Sequence, residues 1–265
     1  MKVACFSVAA MDFFPQQNQH FAGGNSLNQA LRFRQLGLEA VFFGALGRDE
    51  AGDSILALLK SRGVDTRCCY QLPGRTASNQ IVNDAAGERF GVAGAWDGGV
   101  YGAFKLSASD WQQVCRCDIW ATHANGINYA EALARKAEAH FLAVDFLDAS
   151  ETMEQLEPSL NRADVVYVGG TEAMAGQLCE LSRRHAGLIV LTLGAGGSLA
   201  FQRGQTWQQA ALPLTPVVDC TGCGDAFQAA FTAHYYQHRD IPAALLAGAE
   251  LGRKAASGYG GVTGC

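Results

Sequence analysis

Three things are scarce in this chain: proline, charge, and any excess of positive over negative side chains. Of 265 residues, 6 are Pro and 17% are Asp, Glu, Lys or Arg, and the net charge is −5. A nucleic-acid partner calls for a basic excess or a Lys/Arg stripe, and neither is present. No apolar run approaches the ~18 residues of a spanning helix, which argues against a membrane protein. There is no block of like charge to form a tail, no internal repeat and no low-complexity segment. Segment 1–10 is apolar with one Lys, as a secretory signal would be. It runs into Asp12 with no cleavage region, so it reads as a first buried strand, and the expected compartment is the cytoplasm. The 9 Cys are odd in number, and Cys115/Cys117 and Cys220/Cys223 stand as isolated pairs. No four-ligand zinc site emerges. In a reducing cytosol most of these Cys read as small buried apolar residues.

Glycine is plentiful where proline is not: 31 residues, which points to tight turns and close backbone–ligand approaches and not to a disordered linker. Apolar patterning predicts strands at 2–9 and 39–45 alternating with helices at 25–36 and 51–62, an order that favours a parallel sheet covered by helices. Strands at 64–71, 76–83 and 88–94 read as a meander. A glycine-rich gap follows. The α/β rhythm then returns, with strands at 117–121, 141–146, 164–168 and 187–193 and helices at 128–139, 150–157 and 171–186. A hairpin at 197–209 turns at Arg203-Gly204, and helices at 223–237 and 242–257 close the chain.

The densest group of chemically useful residues is Asp219-Cys220-Thr221-Gly222-Cys223-Gly224-Asp225, at the mouth of a predicted helix. Two glycines one residue apart let the N–H groups of Gly222, Cys223 and Gly224 converge, and a helix start adds partial positive charge. The result is an anion hole suited to a phosphate in transfer. Asp225, directly after it, can take the proton of an acceptor hydroxyl. Read alone, the run also fits, with less weight, a glycine turn with Asp225 as a helix-cap carboxylate. A second group is Asp12, at the end of the first strand, with Gly23, Gly24 and Asn28. The glycines let backbone approach a polyol, and Asn28 offers both a donor and an acceptor. Asn25 alone reads as a helix cap. The third is the strand running into Thr192, Gly194 and Gly197, typical of nucleotide contact at the C-terminal edge of a parallel sheet, though a tight hairpin gives the same pattern. His123, Asp145 and Asp148 also fall at predicted strand ends, where a core histidine and turn-capping carboxylates are equal readings.

Together these motifs resemble the ribokinase (PfkB) family of sugar kinases. Asp219, Gly222, Gly224 and Asp225 match its second signature, with Cys220 and Cys223 where Thr and Ala are usual. Gly23, Gly24, Asn28, Ala30, Leu36 and Gly37 match its first, and Gly47–Gly52 fits a structural turn of the family. The resemblance implies one ribokinase-like α/β domain over 1–265. Its central, mostly parallel sheet is flanked by helices, with a small β-sheet lid inserted at about 10–22 and 64–100. It also implies ATP-dependent phosphorylation of a sugar hydroxyl with Asp225 as general base. Asp12, Gly23, Gly24, Asn28 and Arg89 would meet the substrate. Thr192, Gly194, Gly197, Asp219 and Thr221 would serve ATP, and Glu172 would reach Mg²⁺ through water. Residues 257–261 fall where the family closes over adenine and a monovalent cation. The family's Asn-x-x-Glu is here Gly169-Gly170-Thr171-Glu172, without the Asn. Mg²⁺ is still expected, because two glycine amides do not neutralise the charge of ATP.

Asp12-Phe13-Phe14-Pro15-Gln16, its short spacer to Phe21, and Arg89-Phe90-Gly91 resemble the branch of the family that phosphorylates the 6-hydroxyl of fructosyl-amino acids such as fructoselysine. Such a substrate has an α-amino acid end, for which Arg89 or Glu88 would supply a charged contact. Ribose, fructose and nucleoside acceptors stay open. So does a non-catalytic sugar- or nucleotide-binding sensor of the same fold, which the changes at Cys220, Cys223 and Gly169 favour. A Rossmann dehydrogenase would need Gly-x-Gly-x-x-Gly after the first strand, where Ala9-Ala10-Met11-Asp12 stands instead. An exposed meander leaves a sheet edge or face uncovered, so a homodimer through the lid is expected.

Overall fold

A computed structural model describes residues 1–148 and 153–265. Its largest sheet includes β1 (Lys2–Cys5), one strand in from an edge, whose Val3, Ala4 and Cys5 are wholly buried. Such an unbroken apolar run suits a parallel strand covered on both faces. β1 pairs in parallel with β4 (Glu39–Phe42) on one side and β9 (Ile119–His123) on the other. The parallel series continues through β10 (Phe141–Asp148), β11 (Val165–Gly169) and β12 (Leu188–Thr192). The antiparallel strands β13 (Ser198–Gln202) and β14 (Gln205–Gln209) complete eight, in the order β14-β13-β12-β11-β10-β9-β1-β4.

Alternate residues of each strand feed two separate cores. Val165 and Tyr167 face one, which holds Leu27 and Leu31 of α1 (Asn25–Gln35), Ile55 of α2 (Glu50–Ser61), Phe231 of α7 (Cys223–His238) and Leu245 of α8 (Ile241–Ala255). Val166 and Val168 face the other. That core holds Trp111 of α3 (Ala108–Val114), Tyr129 of α4 (Tyr129–Arg135), Leu156 of α5 (Met153–Leu160) and Leu178 of α6 (Ala175–Arg184).

Two smaller sheets flank this frame. One has the order β3-β2-β7-β8, from β2 (Ala10–Phe14), β3 (Gln19–Gly23), β7 (Ala77–Asn83) and β8 (Arg89–Gly91). The other is the parallel pair β5 (Gly44–Gly47) and β6 (Cys69–Leu72).

The structure departs from the sequence reading in how strands partner. The apolar run 2–9 is not one strand: β1 stops at Cys5, and β2 belongs to the smaller four-stranded sheet. Asp12 therefore lies on β2, not at the end of the first strand. The run 39–45 divides in the same way between β4 and β5. The expected meander is two hairpins, β2–β3 and β7–β8, joined by parallel pairing of residues 10–13 with 77–80. The segment 64–71 contributes β6 to the two-stranded sheet instead. Alternation marks a strand but not its partner, and these partners are distant in sequence. Helix α3, which the sequence reading passed over, starts at a Ser107–Asp110 capping box. The predicted helix 150–157 lies partly outside the described residues, as does the side chain of Asp148.

Candidate active site

Helix α1 begins where the chain returns from the smaller sheet. Gly24 is its N-cap and makes no side-chain cap bond. The N–H groups of Ser26 and Leu27 donate to the Val8 carbonyl. With those donors already satisfied, Asn25 does not cap the helix, and its side chain is free for other work. Asn25, Asn28, Gln29 and Arg32 recur at helical spacing, so they share one stripe. All four are buried. Asn28 Nδ2 donates to Asp225 Oδ2 at 2.7 Å, Gln29 Nε2 to Gln228 Oε1 at 2.7 Å, and Arg32 Nη2 to the Thr263 carbonyl at 2.9 Å. The stripe is a polar seam between α1, α7 and the C-terminal loop. Leu27, Ala30 and Leu31 face the core from the same helix.

The seam converges on Asp225, in the first turn of α7. Asn25 Nδ2 donates to Asp225 Oδ1 at 2.8 Å and to Asp145 Oδ2 at 2.9 Å. Burial pushes the Asp225 carboxyl up to about 7; the Asn28 bond opposes this, the Asp145 charge adds to it, and Arg89 and Arg32 oppose it. Burial also raises Asp145, against hydrogen bonds from Leu147 N–H and Gln228. His123, paired in register with Asp145, is held neutral by burial, with its pKa lowered to about 4. Asp12 approaches from the smaller sheet. Gly23 makes room for it, because a Cβ there would stand 2.2 Å from Asp12 Oδ2. Burial raises Asp12 to about 6, with Arg89 pulling down and Asp219 pushing up. The exposed Arg89 on β8 thus acts electrostatically on Asp12, Asp145 and Asp225 together.

The loop before α7 is held by Asp219, which is wholly buried. Its Oδ1 accepts from Asn83 Nδ2 on β7 at 2.8 Å, from Thr221 N–H at 2.9 Å and from the Thr221 hydroxyl at 2.7 Å. Its Oδ2 accepts from Gly260 N–H at 2.8 Å. One carboxylate therefore pins the smaller sheet, the glycine loop and the C-terminal loop. Asp219 and Thr221 shape the loop, and their polar atoms are engaged within the protein. Gly222, the N-cap of α7, has φ 74°, and its Cα side lies against the Gly261 backbone, so no side chain fits there. Gly224 is exposed, with nothing within 4 Å of where a Cβ would be. The Cys223 N–H, expected in the anion hole, instead donates to the Cys220 carbonyl at 3.1 Å.

The residues expected on the nucleotide side are spread along the strand ends. Thr192 ends β12 beside Gly169 of β11, and its hydroxyl donates to the Val168 carbonyl at 3.4 Å. Gly194 follows in an exposed turn, 3.5 Å from Glu88 Oε1 at its Cβ position. Gly197, just before β13, packs on the Gln209 carbonyl at the end of β14. Glu172 is exposed just past β11. No group of three or more His, Cys, Asp or Glu that could hold a metal occurs among the described residues. A metal here would be held chiefly by a ligand's own oxygens. The open first turn of α7 at Gly224 fits a polyphosphate. The buried, unpartnered Asn25 Oδ1 and Asn28 Oδ1 fit a ligand that brings hydroxyl donors. A cavity of about 640 Å³ lies elsewhere, at the far end of α7, lined by Arg203, Trp207, Arg239 and Asp240. We assign it no role, because Asp225 and its partners lie at the opposite end of that helix.

The sequence reading missed Asp145 as a partner of Asp225, and it missed Gln29, Arg32, Asn83 and Gln228 altogether. The signal available was the polar stripe 25, 28, 29, 32 on a helix that also carries the apolar Leu27, Ala30, Leu31 and Phe33.

A covered parallel sheet, with a carboxylate and an open glycine turn at one helix mouth, fits the class of small-molecule kinases. Residues 14–264 match the pfkB family carbohydrate kinase, and the chain belongs to that family. It is 30% identical over 257 residues to the fructoselysine 6-kinase of Shigella flexneri, covering 94% of this chain and 95% of that protein. Among solved structures it resembles a putative ribokinase II from E. coli in complex with ATP and Mg²⁺. The TM-score there is 0.82 at 18% identity, covering 99% of this chain and 95% of that one. It also resembles a Vibrio cholerae fructokinase double mutant bound to fructose, ADP and potassium. Here the TM-score is 0.77 at 22% identity, covering 99% of this chain and 94% of that one. Among the described residues no helix is long and apolar enough to cross a membrane.

Proposed function

We propose that this carbohydrate kinase transfers the γ-phosphate of ATP to a primary hydroxyl of a sugar or fructosyl-amino acid, with the 6-hydroxyl of fructoselysine as the leading acceptor and Asp225 as general base. The observation that carries the assignment is the Asp225 carboxylate, fixed by two asparagine amides and raised to about 7. A base with a pKa near the working pH combines the right protonation state with proton affinity. The likeness to the Shigella flexneri fructoselysine 6-kinase supports the acceptor.

MgATP, when bound, supplies the electrophilic phosphorus and the divalent charge. Asp225 accepts the hydroxyl proton at one carboxylate oxygen while Asn25 and Asn28 hold its plane. Gly222 and Gly224 offer the anion hole, and Asp219 and Thr221 keep their loop in shape. Asp12, Gly23, Gly24 and Asn28 line the polyol side. Arg89, or Glu88 beside it, meets the charged end of a fructosyl-amino acid. Thr192, Gly194 and Gly197 belong to the nucleotide strand end, and Glu172 reaches Mg²⁺ through water. The loop at 257–261, tied to Asp219 through Gly260, would take the monovalent cation. We place this activity in the cytoplasm, where ATP is abundant and a reducing milieu suits nine cysteines that are free in this structure.

The test is ATP consumption by the purified protein against fructoselysine, other fructosyl-amino acids, fructose, ribose and nucleosides. Turnover highest on fructosyl-amino acids is the expected result. Comparable or better turnover on ribose, fructose or a nucleoside overturns the acceptor. No ATP use with any polyol favours a binding protein of the same fold.

A further inference from the structure

Cys220 and Cys223 take no part in the chemistry above, yet they sit at its edge. They are the first and last residues of a tight turn, closed by the hydrogen bond from Cys223 N–H to the Cys220 carbonyl at 3.1 Å. Gly222, its third residue, has φ 74° and ψ 2°, the values of a type II turn. Such a turn holds its end Cα atoms within about 7 Å, and a disulfide spans Cα separations of roughly 4.4–6.8 Å. Across this turn each thiol shifts the titration of the other, and the Cys223 thiol donates to the Asp219 carbonyl at 3.9 Å. Both cysteines are free and only partly buried, so a small reagent can reach them.

We propose that Cys220 and Cys223 form a redox-active dithiol, a modification site that takes a low-molecular-weight disulfide as co-reactant and closes to an intramolecular Cys220–Cys223 bond. The Cys220 thiolate attacks one sulfur of the small disulfide, whose S–S bond breaks. One small thiolate leaves, and a mixed disulfide stays on Cys220. Cys223 then loses its proton, attacks Cys220 Sγ and expels the second small thiolate. Two protein thiols are oxidised, one small disulfide is reduced to two thiols, and the two protein protons end on them. Cys220 attacks first because its neighbour Cys223 holds its thiol below the ordinary range, while Cys223 itself is pushed above it.

A disulfide about 2.05 Å long draws the sulfurs far inside hydrogen-bonding distance, and each is one methylene from the backbone that opens α7. Gly222 and Gly224 flank Cys223 and move with it. Closure therefore displaces the anion hole and lowers phosphoryl transfer until the bond is reduced. This consequence rests on the kinase reading; the disulfide itself does not.

The test reads the two separately. Purified protein is incubated with oxidised glutathione, alkylated and cut with trypsin. Cleavage after Arg203 and Arg239 yields one peptide, 204–239, that holds Cys220 and Cys223 and no other cysteine. It should lose two hydrogens, resist alkylation and revert with dithiothreitol. ATP consumption measured alongside should fall at least about tenfold and recover, since misplacement near 1 Å can cost on the order of 10²-fold. In Cys220→Ala, oxidant should leave consumption at that variant's own starting level. A peptide that stays alkylated at both cysteines, or stops at a mixed disulfide, overturns the proposal. A closed disulfide with unchanged turnover overturns the inhibitory consequence. A closed disulfide in a protein that never uses ATP when reduced overturns the kinase reading and leaves the dithiol standing.

Discussion

Asn25 and Asp225 are 200 residues apart in the chain and 2.8 Å apart between Nδ2 and Oδ1. The same amide nitrogen gives its other hydrogen to Asp145 Oδ2 at 2.9 Å. A neutral amide thus ties two carboxylates together. It orients Asp225 without lending it the full positive charge that would hold the carboxyl in its ordinary acidic range. Four predictions follow from this site and the sheet beside it.

Asp225→Ala should lower kcat by about 10²–10⁴-fold, the usual contribution of a general base. Nucleotide binding should survive, since none of the residues at the end of β12 is altered. Turnover assays with calorimetric titration of ATP would check both parts. A loss below about tenfold would remove Asp225 as the base.

The pH profile should show which charges set that base. Asp225 must be unprotonated to act, so kcat/KM should decline as pH falls below about 7. Asp145→Asn removes a neighbouring negative charge and should move the decline to lower pH. Arg89→Ala removes a positive charge and should move it to higher pH. Opposite shifts in the two variants are the expected signature. A limb that neither variant moves would separate it from Asp225.

Stability should respond with its own sign. The native Asp225 carboxyl keeps its proton up to about 7, against 3.8 as the reference value. Between those limits the native state binds more protons than the unfolded one, so this group's contribution falls as pH rises through the window. Asp225→Asn carries no charge to bury. Its melting temperature should therefore gain on the parent from about pH 4 to about pH 7 and then level off, with roughly 2–4 °C for each kcal/mol in a chain of this size. A constant difference across that range would contradict the raised carboxyl.

The smaller sheet should carry the subunit contact. Its β8 edge and the chain just beyond expose Phe90 at 54% and Trp96 at 50%. An apolar sheet edge of this kind invites cover by a second copy. Light scattering should give a dimer, and Phe90→Asp with Trp96→Asp should give a monomer. A parent protein that scatters as a monomer would discard the contact and leave the chemistry untouched.

Much of the site was legible in sequence because its parts are local. Gly222, Gly224 and Asp225 announce an open helix mouth within four residues, and α7 starts there. Helices α1 and α2 fall within a residue of their predicted bounds, and the hairpin turns at Arg203-Gly204, where both residues have positive φ. Asp145 was harder to read. As a carboxylate at a strand end it looks like any turn cap until Asn25 is brought beside it. The inward turn of the Cys223 N–H was also hidden, because spacing places an amide in a loop without saying which way it points.

By itself, then, the sequence determined the α/β alternation, the helix mouths and the glycine loop, since each depends on the periodicity and backbone freedom of a few adjacent residues. Tertiary structure alone decided that β2 pairs with β7 and carries Asp12 on the smaller sheet. It also decided that Asn25, Asn28, Asp145 and Asp225 meet. The β2–β7 partners lie 67 positions apart and the Asn25 and Asn28 bonds span 120 to 200, so these contacts form only once parallel strands and covering helices have packed into one buried frame.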